Sequence, residues 1–126
     1  MNIQELYHLY TSSYLVSTDT RNITKNCIFF ALKGNNFNGN KFANEALDKG
    51  ASYAVVDEEE YAINSKITYV EDVLVTLQSL ATYHRKQLDI PILALTGSNG
   101  KTTTKELINV VLSKKYKTNA TKGNLN

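Results

Sequence analysis

Ile92-Leu93-Ala94-Leu95-Thr96-Gly97-Ser98-Asn99-Gly100-Lys101-Thr102-Thr103-Thr104 is the stretch on which the reading of this chain turns. Apolar residues on consecutive positions from Ile92 to Leu95 predict a short buried strand. Gly97 and Gly100 then shape a loop, and Leu107, Ile108, Val111 and Leu112 recur at helical spacing beyond it. Strand, glycine loop and helix in that order form an α/β unit of the P-loop type. The arrangement suits anions: several backbone N–H groups can meet phosphate oxygens together, glycine permits the close approach, and the helix N-terminus contributes its positive dipole. Lys101 then stands where its ammonium reaches terminal phosphates, and Thr102 where its hydroxyl can ligand magnesium. The strict pattern asks for glycine five positions before Gly100, where this chain has Leu95, so the loop is a variant. A plain tight turn before a helix is the alternative, but it accounts neither for Lys101-Thr102 nor for the apolar run ahead of the loop.

Upstream, Pro91 disfavours helical geometry at Ile90, which places a junction between a first domain, residues 1–89, and a second, residues 90–126. Downstream, Tyr116 to Ala120 is a candidate second strand. Within the first domain, Asp72 is positioned to cap a long helix whose Val73, Leu77, Leu80, His84 and Leu88 share one stripe. Cys27 to Leu32 is apolar at every position and predicts a central strand buried on both faces, ending at Lys33-Gly34-Asn35-Asn36. Asn38-Gly39 is a turn dipeptide; Phe42, Ala46 and Leu47 outline a helix that Gly50 can close; Tyr53 to Val56 and Ile67 to Val70 are further strands. Asn2 with Glu5 three residues later predicts a capped helix over Ile3 to Tyr10. The expected fold is therefore α/β: a small mixed-sheet α/β domain, then the first strand-loop-helix unit of a P-loop-type ATPase domain.

The 126 residues are 42% hydrophobic and 21% charged, which suffices for one real core without disulfides. A net charge of +2 is too small for the broad positive field of a non-specific nucleic-acid binder, and the eight tyrosines are scattered rather than interleaved with Lys and Arg. No nucleic-acid partner is expected. The longest apolar runs, Cys27 to Leu32 and Ile90 to Leu95, fall far short of the about 20 residues of a membrane span. With one cysteine and no basic, apolar leader at Met1-Asn2-Ile3-Gln4-Glu5, the expected compartment is the cytoplasm. Cys27 reads as core rather than nucleophile, and His8 and His84 as packing or surface residues rather than zinc ligands. The acidic run Asp57 to Glu60 reads as a solvated loop.

Thr96 to Glu106 resembles the ATP loop of the Mur ligases, the bacterial enzymes that extend the peptidoglycan peptide and whose variant loop also lacks the first P-loop glycine. Asp19-Thr20-Arg21 is similar to the family's Asp-Ser-Arg segment, Cys27 through Asn40 with Phe42 to its strand and glycine-containing loop, and Gly123-Asn124-Leu125-Asn126 to a further family motif. Thr20 stands where Ser is usual, and Asn38 where the family has Asp. The resemblance implies a three-domain enzyme using ATP and Mg2+, of which this chain holds the first, UDP-sugar-binding domain and the opening of the second. It implies that Gly97, Ser98, Asn99, Gly100, Lys101, Thr102 and Thr103 bind the nucleotide, with Lys101 catalytic and Thr102 on the metal. On the substrate side it implies Thr20, Arg21, the loop Lys33-Gly34-Asn35-Asn36 and Asn124, with Arg21 suited to a diphosphate by its forked donors. The alternative for that side is that Asp19 and Arg21 merely pair across a loop and that Asn35 to Asn40 is turn chemistry alone.

Within the family, Ser98 followed by Thr-Thr-Thr-Lys-Glu, together with Gly-Asn-Leu-Asn, looks most like the member that joins D-alanyl-D-alanine to UDP-N-acetylmuramoyl-tripeptide. That reaction passes through an acyl phosphate made with the ATP γ-phosphoryl, which the amine of D-alanyl-D-alanine then attacks. The sibling that adds the third amino acid is the nearest rival; a UDP-sugar-binding module without catalysis is another. A monomer without ligase turnover of its own is the expectation for these 126 residues.

Overall fold

The computed structural model describes residues 1–123. The chain divides into two compact units, Met1–Asp89 and Ile90–Asn126. In the first, helix α1 (Ile3–Thr11) starts on a capping box: Asn2 Oδ1 accepts from the Glu5 N–H at 2.9 Å, and Glu5 Oε2 accepts from the Asn2 N–H at 2.8 Å. Strands β1 (Val16–Ser17), β2 (Ile28–Phe30), β5 (Tyr53–Val56) and β6 (Ile67–Tyr69) form one sheet in the order β1-β2-β5-β6. Every neighbour in it is parallel, with Ile28 opposite Tyr53 and Ala54 opposite Ile67.

A parallel sheet must be covered on both faces, and the continuous apolar run at β2 meets that demand. Ile28 and Phe30 point to one side, where Val55, Leu6 of α1, and Val73 and Leu80 of helix α3 (Val73–Gln87) complete a cluster. Phe29 points to the other, where it joins Cys27, Ala54 and Val56 with Ala43 and Ala46 of helix α2 (Ala43–Asp48). Burying each phenylalanine contributes about 2–3 kcal/mol. The Asp72 carboxylate caps α3 on the Val75 N–H at 2.8 Å, and α2 closes at Lys49 with Gly50 in a left-handed conformation, φ +110°.

Antiparallel pairing is confined to a separate ribbon, β3 (Lys33–Gly34) with β4 (Phe37–Asn38), inserted between β2 and α2. Its register, Gly34 opposite Phe37, makes Asn35-Asn36 the turn, so the expected turn at Asn38-Gly39 is displaced. Asn38 is a strand residue, and Gly39 opens a 3-10 turn, Gly39–Phe42, that leads into α2. A Cβ on Gly39 would lie 2.4 Å from the Leu32 carbonyl oxygen, which explains the glycine better than turn chemistry does. The two-residue strand β1 lies in a stretch of Ser and Thr with no periodic signal.

The second unit contains helix α4 (Lys101–Leu112), as the spacing predicts. Residues 92–96 and 116–120 are not strands, contrary to expectation. A strand exists only through the ladder it shares with a neighbour, and none of the described residues of this unit supplies one. No residue from 90 to 123 is buried. Among the described residues no helix is long and apolar enough to cross a membrane.

Candidate functional site

The loop ahead of α4 is built on two left-handed glycines, Gly97 at φ +153° and Gly100 at φ +76°. Around Gly100 a Cβ would meet nothing within 4 Å, so this glycine answers to backbone conformation and the space beside it is open. The α4 ladder begins with the Thr104 N–H on the Gly100 carbonyl at 2.9 Å. The N–H groups of Lys101, Thr102 and Thr103 therefore precede any intrahelical acceptor. Lys101 folds back over the loop, its Nζ donating to the Gly97 carbonyl at 2.6 Å. Thr102 and Thr103 are exposed, as are Ser98 and Asn99. Free N–H groups at a helix start, an ammonium above them and a hydroxyl beside it form a donor set that fits a polyphosphate with its magnesium ion.

Lys105, one turn further along α4, belongs to the Thr-Thr-Thr-Lys-Glu run, but the sequence assigns it no role. Its ammonium pairs with Glu106 at 2.9 Å, donates to the Thr121 carbonyl, and reaches the Gly123 carbonyl at 3.5 Å. This draws the start of the Gly-Asn-Leu-Asn segment to the helix that carries the loop. Asn124 itself lies outside the described residues.

In the first unit, Asp19 caps the 3-10 turn Thr20–Asn22, and the Arg21 guanidinium lies along its carboxylate: Nη2 is 2.7 Å from Oδ2 and Nε is 3.0 Å from Oδ1. These bonds, with the Arg21 N–H on Oδ1 at 2.9 Å, hold the Asp19 carboxyl down at about 2. The Arg21 side chain is 85% exposed all the same, and its remaining donors face solvent. The Thr20 carbonyl accepts from Lys49 Nζ at 2.9 Å. Gly34, Asn35 and Asn36 are exposed at the tip of the ribbon. The Thr20–Asn22 turn follows β1 and the ribbon follows β2, so both leave the carboxyl edge of adjacent parallel strands, where α/β sheets hold their ligands. Among the described residues no hydrogen bond joins the two segments.

The acidic run is not simply a solvated loop. Glu59 and Glu60 are exposed, but Asp57 Oδ1 accepts from Asn40 Nδ2 at 2.8 Å and lies 3.0 Å from Lys33 Nζ, while Glu58 accepts from Asn38 Nδ2 at 3.0 and 3.1 Å. Burial pushes the Asp57 carboxyl up, but the bonds from Asn40, Lys33 and the Val73 N–H outweigh it, and the group titrates below the usual carboxylate range. Lys33 is raised, first by its bond to Asp57. Asn38-Gly39-Asn40 carried the only sequence signal for this cluster, in two amides flanking an obligatory glycine.

His84 packs among Tyr7, Tyr10 and Tyr14, with Tyr7 Oη 3.3 Å from its Nδ1. Cys27 is fully buried, and burial pushes its thiol up. Among the described residues no group of His, Cys, Asp and Glu could hold a metal ion.

Comparison with known proteins finds relatives of both units. A family model described as "Mur ligase family, catalytic domain" matches residues 13–87, and one described as "Mur ligase middle domain" matches residues 95–126. UDP-N-acetylmuramoyl-tripeptide--D-alanyl-D-alanine ligase of Synechocystis is 41% identical over 113 residues, 88% of this chain and 25% of the relative. A crystal structure of MurF from Acinetobacter baumannii superposes with a TM-score of 0.74 at 36% identity, covering 88% of this chain and 24% of that one. MurF ligase from Thermotoga maritima in complex with ADP gives 0.69 at 31% identity over 80% and 23%. The chain thus spans about a quarter of the length of the relatives it matches. With a family model covering more than half its length and a second matching the loop and helix that follow, this chain belongs to the Mur ligase family.

Proposed function

We propose that this chain is the amino-terminal part of an ATP-dependent ligase that joins D-alanyl-D-alanine to UDP-N-acetylmuramoyl-tripeptide. The observation that carries the proposal is the loop Gly97–Thr103 at the head of α4, with Lys101 drawn over it. The relatives' names specify the two substrates, and the ADP in one relative's structure supports a nucleotide as the loop's ligand. In this reading residues 1–89 form the UDP-sugar-binding domain and residues 90–126 the start of the ATP-binding domain. A monomeric, cytoplasmic protein in cell-wall precursor synthesis belongs to the same proposal.

Phosphoryl transfer to a carboxylate asks little covalent chemistry of a protein; it asks for positioning and for positive charge where negative charge develops. The N–H groups at the start of α4 hold phosphoryl oxygens in place. Lys101 exchanges the Gly97 carbonyl for the terminal phosphate, and Thr102 offers its hydroxyl to magnesium. A magnesium ion held at Thr102 would supply further positive charge for the phosphoryl transfer. Arg21 keeps its outward donors for the diphosphate of the uridine nucleotide, with Thr20, Gly34, Asn35 and Asn36 beside the substrate and Asn124 assigned to the same side. For the 126 residues alone we propose binding of the UDP-sugar without turnover.

Calorimetric titration of the chain with UDP-N-acetylmuramoyl-tripeptide and with ATP–magnesium, each against Arg21→Ala and Lys101→Ala, tests the reading. The first ligand is expected to bind and to lose affinity in Arg21→Ala; equal binding to both forms removes the assignment of that side.

A further inference from the structure

We infer that Asp57 is a positioning residue for the substrate-binding ribbon, an assignment that rests on the UDP-sugar reading of that ribbon. One carboxylate joins three elements. Its Oδ1 takes Asn40 Nδ2 at 2.8 Å and Lys33 Nζ at 3.0 Å, both from the ribbon and the turn that follows it; its Oδ2 takes the Val73 N–H, the first residue of α3, at 3.5 Å. The Asp57 N–H returns the bond to Asn40, donating to its Oδ1 at 2.9 Å, so the two residues are linked in both directions.

Asn40 is fully buried, and every polar atom of its side chain is used, since Nδ2 also donates to Asn38 Oδ1 at 2.9 Å. A satisfied buried network of this kind fixes one geometry, because any other leaves a desolvated donor or acceptor unpaired. Lys33 is held from the outside by Asp57 and, at 3.5 Å, by Glu58. One cation between two carboxylates is a poor trap for a further anion, so Lys33 here anchors the ribbon base rather than binding phosphate. With its base tied at Lys33 and Asn38, the ribbon presents Gly34, Asn35 and Asn36 as a formed tip, and the cost of ordering it on ligand binding is reduced.

The test compares the unmodified chain with Asp57→Asn, and with Lys33→Gln as a milder variant that leaves Asn40 and Asp57 joined. Backbone order parameters of residues 34–37 and the affinity for UDP-N-acetylmuramoyl-tripeptide are measured on each. Asp57→Asn is expected to lower the order parameters of residues 34–37 from about 0.85 towards 0.6. Those of β2 and β5 stay unchanged. Affinity is expected to fall about tenfold, with a smaller loss in the same direction for Lys33→Gln. Unchanged order at residues 34–37 in both variants overturns the inference, as does lowered order with unaltered affinity. If the unmodified chain fails to bind the nucleotide sugar while Asp57→Asn still loosens the ribbon, the UDP-sugar reading is overturned and the brace is upheld as a holder of the ribbon.

Discussion

Arg21 and Asp19 lie two residues apart and face one another in a forked pair, with Nη2 2.7 Å from Oδ2 and Nε 3.0 Å from Oδ1. Sequence offered either a phosphate-binding arginine or a local ion pair. The structure shows the ion pair, and it leaves the remaining guanidinium donors in solvent.

The pair sets a titration. Because the folded Asp19 carboxyl sits at about 2, below its ordinary value, whatever the pair adds to stability is complete above the ordinary carboxylate range and disappears as pH falls through about 2. Carboxyl-detected NMR is expected to give an Asp19 midpoint near 2 in the unmodified chain and a midpoint moved up towards the ordinary range in Arg21→Ala, which loses the guanidinium but keeps the backbone N–H bond to Oδ1; an unmoved midpoint in the variant would show that the guanidinium does not depress it.

Two glycines separate two kinds of constraint. Gly39→Ala forces a methyl to 2.4 Å from a backbone oxygen, and overpacking of this kind is expected to cost about 3 kcal/mol in denaturant unfolding. Gly100→Ala has open space and only a positive φ to oppose it, so about 1 kcal/mol of local strain at the start of α4 is expected, with the unfolding midpoint of the first unit unmoved. Equal losses from the two would contradict the account.

Cys27 makes a chemical probe of the core. Its side chain is wholly buried and its thiol is pushed up by that burial, so a thiol-reactive disulfide reagent is expected to leave the folded chain unmodified and to titrate one thiol once guanidinium unfolds it. Rapid labelling under native conditions would count against the core placement.

Lys101 bears on the loop. For the isolated chain, affinity for ATP–magnesium weaker than about 1 mM is expected by calorimetry. In a longer ligase carrying this loop, Lys101→Ala is expected to lower kcat by a factor of about 100–1,000, read as phosphate released per unit time. Micromolar binding of ATP by the 126 residues alone would refute the first expectation.

Much of the first unit could be read in advance wherever local and tertiary signals coincide. Asn2 and Glu5 cap α1, Asp72 caps α3, and the unbroken apolar run from Cys27 marks the strand with a neighbour on each side. The misreadings have a common source: they concern partners distant in sequence. Ile92 to Leu95 has the composition of a strand, yet a ladder depends on a second segment that composition does not reveal. Asp57 resembles its acidic neighbours until Asn40, 17 residues earlier, is brought against it. Gly39 looked like a turn residue because its constraint, the Leu32 carbonyl, became visible only once the chain had folded over it. For the candidate site, residue types and spacing could be read around the loop, and the Asp19–Arg21 pair stood as one of two readings, whereas the grip of Lys105 on the Thr121 carbonyl could not be read.

The absence of any buried residue between positions 90 and 123 bears on how the molecule melts. A segment without an interior adds little to the cooperative heat of denaturation, so a scanning calorimeter should register one endotherm scaled to the first 89 residues, about 60 kcal/mol rather than the roughly 90 that the full length would give. Amide signals from the carboxyl-terminal third should meanwhile lose their dispersion without following that peak.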